Sequence, residues 1–142
     1  MRKRYISIFI TAVFILLLTT FVFASDMNIR KGGSSWAEID SAGTVRINGS
    51  IVGEVEQDGI VRKSGSIVGK VESDGTIRKN GAIYAEIESD GTLRVQGSIV
   101  GEIEQDGTIR RQGAIWGEAE NMEGYDDMRA VAAILVFFSG EF

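Results

Sequence analysis

The residues best suited to chemistry in this 142-residue chain are carboxylates in pairs. Glu54 and Glu56 recur as Glu86 and Glu88, Glu102 and Glu104, and Glu118 and Glu120, with Glu72 alone in one copy. Two residues apart on a strand, both carboxylates of a pair share one face. Such a pair could act as acid and base in glycoside hydrolysis if one environment held its proton at neutral pH and the other did not. Catalysis needs one odd site, whereas these environments repeat, so repetition favours a solvated, ion-paired face. Asp58, Asp74, Asp90 and Asp106 each precede a Gly. They suggest calcium, but each turn offers a single carboxylate and the Asp-x-Asp-x-Asp-Gly loop is absent, so turn chemistry accounts for them. With Cys and His both zero, thiolate nucleophiles, disulfides, the usual neutral-pH base and the commonest metal ligand are all missing. The expectation is a chain that is not an enzyme, with no catalytic, cofactor-binding or metal residues and no cofactor.

A third set is aromatic. Trp36, Tyr84 and Trp116 occupy a column otherwise held by Val52, Val68 and Val100. Aromatic side chains on a repeated surface stack on sugars or anchor a protein partner. Trp36 and Trp116 lie in terminal copies, so they would also meet at, and cover, the seam of a closed ring. These three residues are the candidate partner or seam surface.

The elements that must position them come from an internal repeat. Gly43, Gly59, Gly75, Gly91 and Gly107 fall 16 residues apart, as do Arg46, Arg62, Arg78, Arg94 and Arg110. A partial copy leads in over residues 28–33. Within each unit Val, Ile and Thr fill short strands while Asp, Asn and Gly fill the turns, the signature of hairpins. If Gln57-Asp58-Gly59 is a three-residue loop, Val55 faces Val61 and Glu54 faces Arg62. The same loop at Ile47-Asn48-Gly49 makes Arg46 face Ser50 and Val45 face Ile51, whereas a two-residue Asn48-Gly49 turn would set Arg46 against Ile51. Matching apolar with apolar and acid with base favours three residues in both places, each closed by a left-handed Gly. The predicted inner face is then Val45, Ile51, Gly53 and Val55, and the outer face Thr44, Arg46, Val52, Glu54 and Glu56. Turn glycines alternate at unequal spacings, which suits an antiparallel meander better than a two-sided solenoid, and closure would remove the exposed edges of the sheet.

The predicted fold is therefore all-β: a closed antiparallel ring of about five to six short hairpins, with a short apolar C-terminal helix or plug. Five hairpins would close by pairing residues 108–110 with 34–36; six would pair 28–30 with 118–120. Residues 1–24 read as a signal peptide, with Arg2, Lys3 and Arg4 ahead of an apolar run and a Val-x-Ala site cut after Ala24. Residues 25–124 form the ring domain. Residues 125–142 carry the run from Ala130 to Phe138, apolar on every side and too short to cross a bilayer, so it packs on the ring. Loss of the leader takes Lys and Arg from 15 to 12 against 20 Asp and Glu, a net charge of −8 that argues against nucleic acid.

Several segments together resemble a known family. They are Ile77-Arg78-Lys79-Asn80-Gly81, Gly49-Ser50-Ile51-Val52-Gly53-Glu54, the Ser-Asp-Gly turns, the opening from Ile29 to Trp36, and the phenylalanine-ending tail. The chain after its leader resembles the five-fold beta-flower proteins of bacteria. The resemblance implies a ring of hairpins, tips the expected count to five, and carries over no activity or functional residue.

The functional expectation is an exported, non-catalytic structural or binding module of the bacterial envelope or exterior, periplasmic or extracellular, with an unknown ligand of protein or carbohydrate type. Two alternatives stand beside it. One is an enzyme using the acidic outer face. The other is a membrane or assembly contact through the C-terminal segment, with a membrane role only if the leader is uncleaved or the tail exposed.

Overall fold

β-Branched residues between Gly-closed turns make each 16-residue unit yield two strands. The computed structural model describes residues 26–142, so the predicted leader and its cut after Ala24 lie outside the described residues. The strands are β1 (Met27–Lys31), β2 (Ser34–Ile39), β3 (Thr44–Ile47), β4 (Ser50–Val55), β5 (Ile60–Lys63) and β6 (Ser66–Val71). They continue as β7 (Thr76–Lys79), β8 (Ala82–Ile87), β9 (Thr92–Val95), β10 (Ser98–Ile103), β11 (Thr108–Arg111) and β12 (Ala114–Glu120). Each pairs antiparallel with its chain neighbours and β1 pairs with β12, giving a closed twelve-stranded barrel.

Closure on five hairpins is overturned. β11 lies between β10 and β12 and β2 lies between β1 and β3, so residues 108–110 never meet residues 34–36. Instead Asn28 faces Glu120, Ile29 faces Ala119 and Arg30 faces Glu118. The physical reason is register: Glu118 against Arg30 repeats the Glu54–Arg62 pairing, so the two sheet edges meet as any internal pair does.

The two turn types differ, and one expectation needs correction. At Gln57-Asp58-Gly59 the three-residue loop is present, with the Glu56 N–H donating to the Ile60 carbonyl at 2.7 Å and Val55 facing Val61. At Asn48-Gly49 the turn has two residues, at φ 49° and 82°, the type I′ geometry that matches strand twist. Ile47 therefore faces Ser50 and Arg46 faces Ile51, not Ser50. One extra residue, Val52, then bulges from β4 before Val45 meets Gly53. The bulge resets the alternation, so Val45 and Val55 still both point inward. Its cost to the predicted inner face is Ile51: that residue and its equivalents Ile67, Ile83, Ile99 and Ile115 face outward, 57–68% exposed. Val52 and its column, expected outside, are partly buried against the core.

Helix α1 (Gly124–Ile134) follows β12 and passes into a single π-helical turn, Leu135–Ser139. Asp127 accepts the Glu123 N–H at 2.6 Å, satisfying one orphan donor at the helix start. Every residue from Asp127 to Phe137 is buried, within one core cluster that includes Ile29, Val45, Val61, Ile77, Leu93 and Ile109 from the strands. A helix buried on all sides within a closed sheet runs along the lumen. At the three-residue-turn end the Tyr125 hydroxyl donates to the Ile87 carbonyl at 2.6 Å and Arg129 Nη1 to the Glu72 carbonyl at 2.9 Å. At the type I′ end the rings of Phe137, Phe138 and Phe142 lie against Gly69, Gly53 and Gly101.

Two predictions test this architecture. Gly91 and Gly97 both hold positive φ, +93° and +83°, but a Cβ at Gly91 would overlap the Ile103 carbonyl oxygen while one at Gly97 meets open space. Gly97→Ala should cost about 1 kcal/mol and Gly91→Ala clearly more, read from denaturation midpoints; equal losses would refute the difference in packing. Leu135, fully buried, should cost about 2–5 kcal/mol on truncation to Ala. Deleting residues 126–142 should abolish the cooperative thermal transition seen by circular dichroism. A truncated barrel that melts like the full chain would show that the lumen does not depend on the helix.

Candidate functional site at the barrel mouth

The acidic outer face resolves into ion pairs. Arg62, Arg78, Arg94 and Arg110 each donate through Nε to Glu56, Glu72, Glu88 and Glu104 at 2.5–2.7 Å, and Arg30 reaches Glu120 at 3.1 Å across the closure. Donation to the glutamate carboxylate raises the pKa of Arg62, Arg94 and Arg110 above the ordinary arginine value. Glu54 faces Arg62 along the backbone, yet the guanidinium reaches past it to Glu56. The expected Glu54–Arg62 contact is thereby corrected: the register is as predicted, but a long arginine side chain lies along the strand and meets the diagonal carboxylate.

The aspartates serve the turns. Asp74, Asp90 and Asp106 each accept the backbone N–H two residues on, from Thr76, Thr92 and Thr108, at 2.9 Å. Those backbone hydrogen bonds hold the three carboxyls below the usual range. Asp58 does the same for Ile60 at 3.1 Å. Among the described residues no three His, Cys, Asp or Glu side chains gather where they could hold a metal ion.

The repeat breaks at the type I′ end, which we call the mouth. Trp36, Tyr84 and Trp116 all stand at the bulge position of their strands, where strict in–out alternation lapses and the side chain leans over the rim. Trp36 and Trp116 meet edge to face at 5.3 Å between centroids, and Trp116 meets Phe142 in the same way at 5.5 Å. Tyr84, on β8, stands across the barrel from them. Four cations lie over four rings: Lys31 over Trp116 at 5.3 Å, Lys63 over Phe138 at 5.8 Å, Lys79 over Tyr84 at 4.8 Å and Arg111 over Phe142 at 5.9 Å. Glu141 is the acid among them. Its carboxylate accepts from Lys31 and from the Trp116 indole N–H, which lowers its pKa, and its carbonyl accepts from Arg111 Nε at 2.7 Å.

Sequence reasoning missed the cations and the phenylalanines at this site. The signal lay in the column 31, 47, 63, 79, 95 and 111, which reads Lys, Ile, Lys, Lys, Val and Arg rather than one residue type. The opposite end carries the aspartate turns together with Asp26, Glu123 and Asp126, so the molecule is electrically polar along its axis. The strands, four to seven residues long with Arg and Glu outside, are too short and too charged to span a bilayer. Comparison with protein-family models, curated proteins and solved structures finds no match for this chain.

A double-mutant cycle checks the diagonal pairing. Glu104 with Arg110 should show favourable coupling that fades as salt is raised, and Glu102 with Arg110 a smaller one. Coupling that resides in Glu102 instead would contradict the diagonal geometry.

Proposed function

We propose that this chain is an exported, non-catalytic binding module of the bacterial envelope or exterior, and that it works through its mouth. One observation carries the reading. In a barrel whose outer wall and aspartate turns repeat nearly unchanged, the mouth gathers four cation–aromatic contacts and a Trp–Trp–Phe cluster that is repeated nowhere else among the described residues. Export rests on the basic-then-apolar residues 1–24 with their Val-x-Ala site. The non-catalytic reading rests on the strand carboxylates, which recur in ion-paired copies. Kinship with the beta-flower proteins is proposed at the level of the repeat alone, since the closure here takes twelve strands. A contact made by the tail would have to give up the burial of residues 127–137, which favours the rim over the tail as the working surface.

Site-specific photo-crosslinking in the producing cell tests this. A crosslinker at Asn80, in a mouth turn, should give adducts in the envelope or exterior fraction, and one at Ser89, in an opposite turn, should give none. Adducts from Ser89 alone, or from neither position, would sink the mouth reading. Recovery of the chain in the cytoplasm would sink export.

A further inference from the structure

We infer that the mouth docks on an anionic lipid bilayer with the barrel axis along the membrane normal, the isoleucine ring entering the headgroup region. This rests on the mouth being the working surface and names its partner. Ile51, Ile67, Ile83, Ile99 and Ile115 stand at one height around the outer wall, more than half exposed, beside the type I′ turns. The sixth position of the column is Ser35, also exposed, where the hydroxyl donates to Asn28 Oδ1 at 2.6 Å, so in that copy the fold takes a polar residue. Five apolar side chains kept in water point to a partner that covers them.

The shape of the ring selects the partner. These side chains point radially, away from the axis, all the way round the rim. A folded protein pressed end-on against the mouth would leave them in water, whereas a fluid layer closes around the rim and wets them all. Depth agrees as well. Ile51 lies two residues in from the turn tip, roughly 7 Å along the strand, with Arg46 directly opposite it at the same height and the Glu54 and Glu56 carboxylates further from the mouth. Immersion by about 5–10 Å, usual for interfacial elements, covers the isoleucines and brings the arginine opposite each of them to headgroup depth.

Charge fixes the sign of the lipid. Lys63 and Lys79 are exposed at the rim and form no salt bridge among the described residues, while Lys31 shares Glu141. Their ammonium groups stand over the Phe138 and Tyr84 rings at the mouth, and with no carboxylate partner among the described residues they present positive charge to lipid phosphates. Trp36, Tyr84 and Trp116 sit at the height where indole and phenol rings favour a membrane interface. The aspartate turns at the far end are repelled by the same surface, which orients the barrel.

Both tryptophans of the chain lie at the mouth, so their emission reports on it. Protein covering residues 25–142 is mixed with vesicles of phosphatidylcholine alone or with phosphatidylglycerol added. Cosedimentation and a blue shift of emission are expected only with phosphatidylglycerol, weakening as salt is raised. Lys63→Gln with Lys79→Gln should lower partitioning by roughly an order of magnitude or more. Ile67→Ser, Ile83→Ser and Ile99→Ser together, copying Ser35, should weaken binding several-fold while the melting temperature shows the barrel intact. Failure of the unaltered protein to bind phosphatidylglycerol vesicles, or equal binding by the folded serine variant, overturns the inference. Protein adducts from Asn80 without vesicle binding would overturn the lipid partner and leave the mouth reading in place; no adducts from Asn80 would remove both.

Discussion

A sheet of twelve strands closes around a lumen that its own side chains cannot fill. Eight strands leave an interior just wide enough for inward residues to meet, and the width grows with strand number. The inward columns here are Val, Ile, Leu, Ala and Gly, which leave the axis open. The chain supplies its own filling. Ala130, Ala132 and Ala133 keep the helix slim, and Val131, Ile134, Leu135 and Val136 extend from it to the wall. The dependence runs both ways, because a segment apolar on every side has no stable place in water. Neither part is a domain in its own right: wall and plug share one hydrophobic core.

Closure imposes a second demand, that the last strand meet the first without a misfit. Arg30 with Glu120 completes the series of arginine–glutamate pairs, and the backbone register at β1 and β12 is that of the internal strands. No edge is left open to pair with another chain. The plug, by contrast, has no rotational symmetry and forces the equivalent hairpins to differ. Gly53, Gly69 and Gly101 stand where Phe138, Phe137 and Phe142 press on the wall, while Ala85 and Ala37 occupy the same column as buried residues. The asymmetry of one helix is thus written into a repeat that is otherwise nearly uniform.

Much of this was legible from spacing. The 16-residue period, the three-residue aspartate loops, the Glu54–Arg62 register and the burial of an all-round apolar tail each follow from local chemistry read at fixed offsets. The type I′ turn was not. Pairing apolar with apolar across Asn48-Gly49 selects the wrong loop, because the test assumes unbroken alternation and the bulge at Val52 breaks it. A bulge leaves no distinct residue type behind, since Val, Tyr and Trp all occupy it. The range of five to six hairpins included the observed closure of 28–30 on 118–120, and only the preference for five failed, because the lumen and the helix that fills it are properties of the closed sheet and no single unit carries them. At the mouth the aromatic column was visible, but the cations over it were not, because Lys31, Lys63, Lys79 and Arg111 come from different strands and converge only after closure.

Internal repetition offers its own way of separating fold from function. A turn, ion-paired or buried column with one residue type in every copy serves what the copies have in common, which is pairing, turning and closing. The turn glycines, the strand arginines and the inward valines and isoleucines are of this kind. A column that varies answers to something the copies do not share. Two things break the symmetry of this barrel: the plug, whose phenylalanine rings meet Gly53, Gly69 and Gly101 but not Gly117, and whatever lies outside. The rim cations and the Trp36, Tyr84 and Trp116 column vary at the end where the phenylalanines of the plug emerge, and part of that variation is packing on Phe138 and Phe142. Plug packing does not explain the isoleucine column, which touches no helix, faces water and yields to serine only once, beside the closure at Ser35. An exposed apolar column that recurs in five copies around one end of the barrel is what an external contact encircling the rim would require.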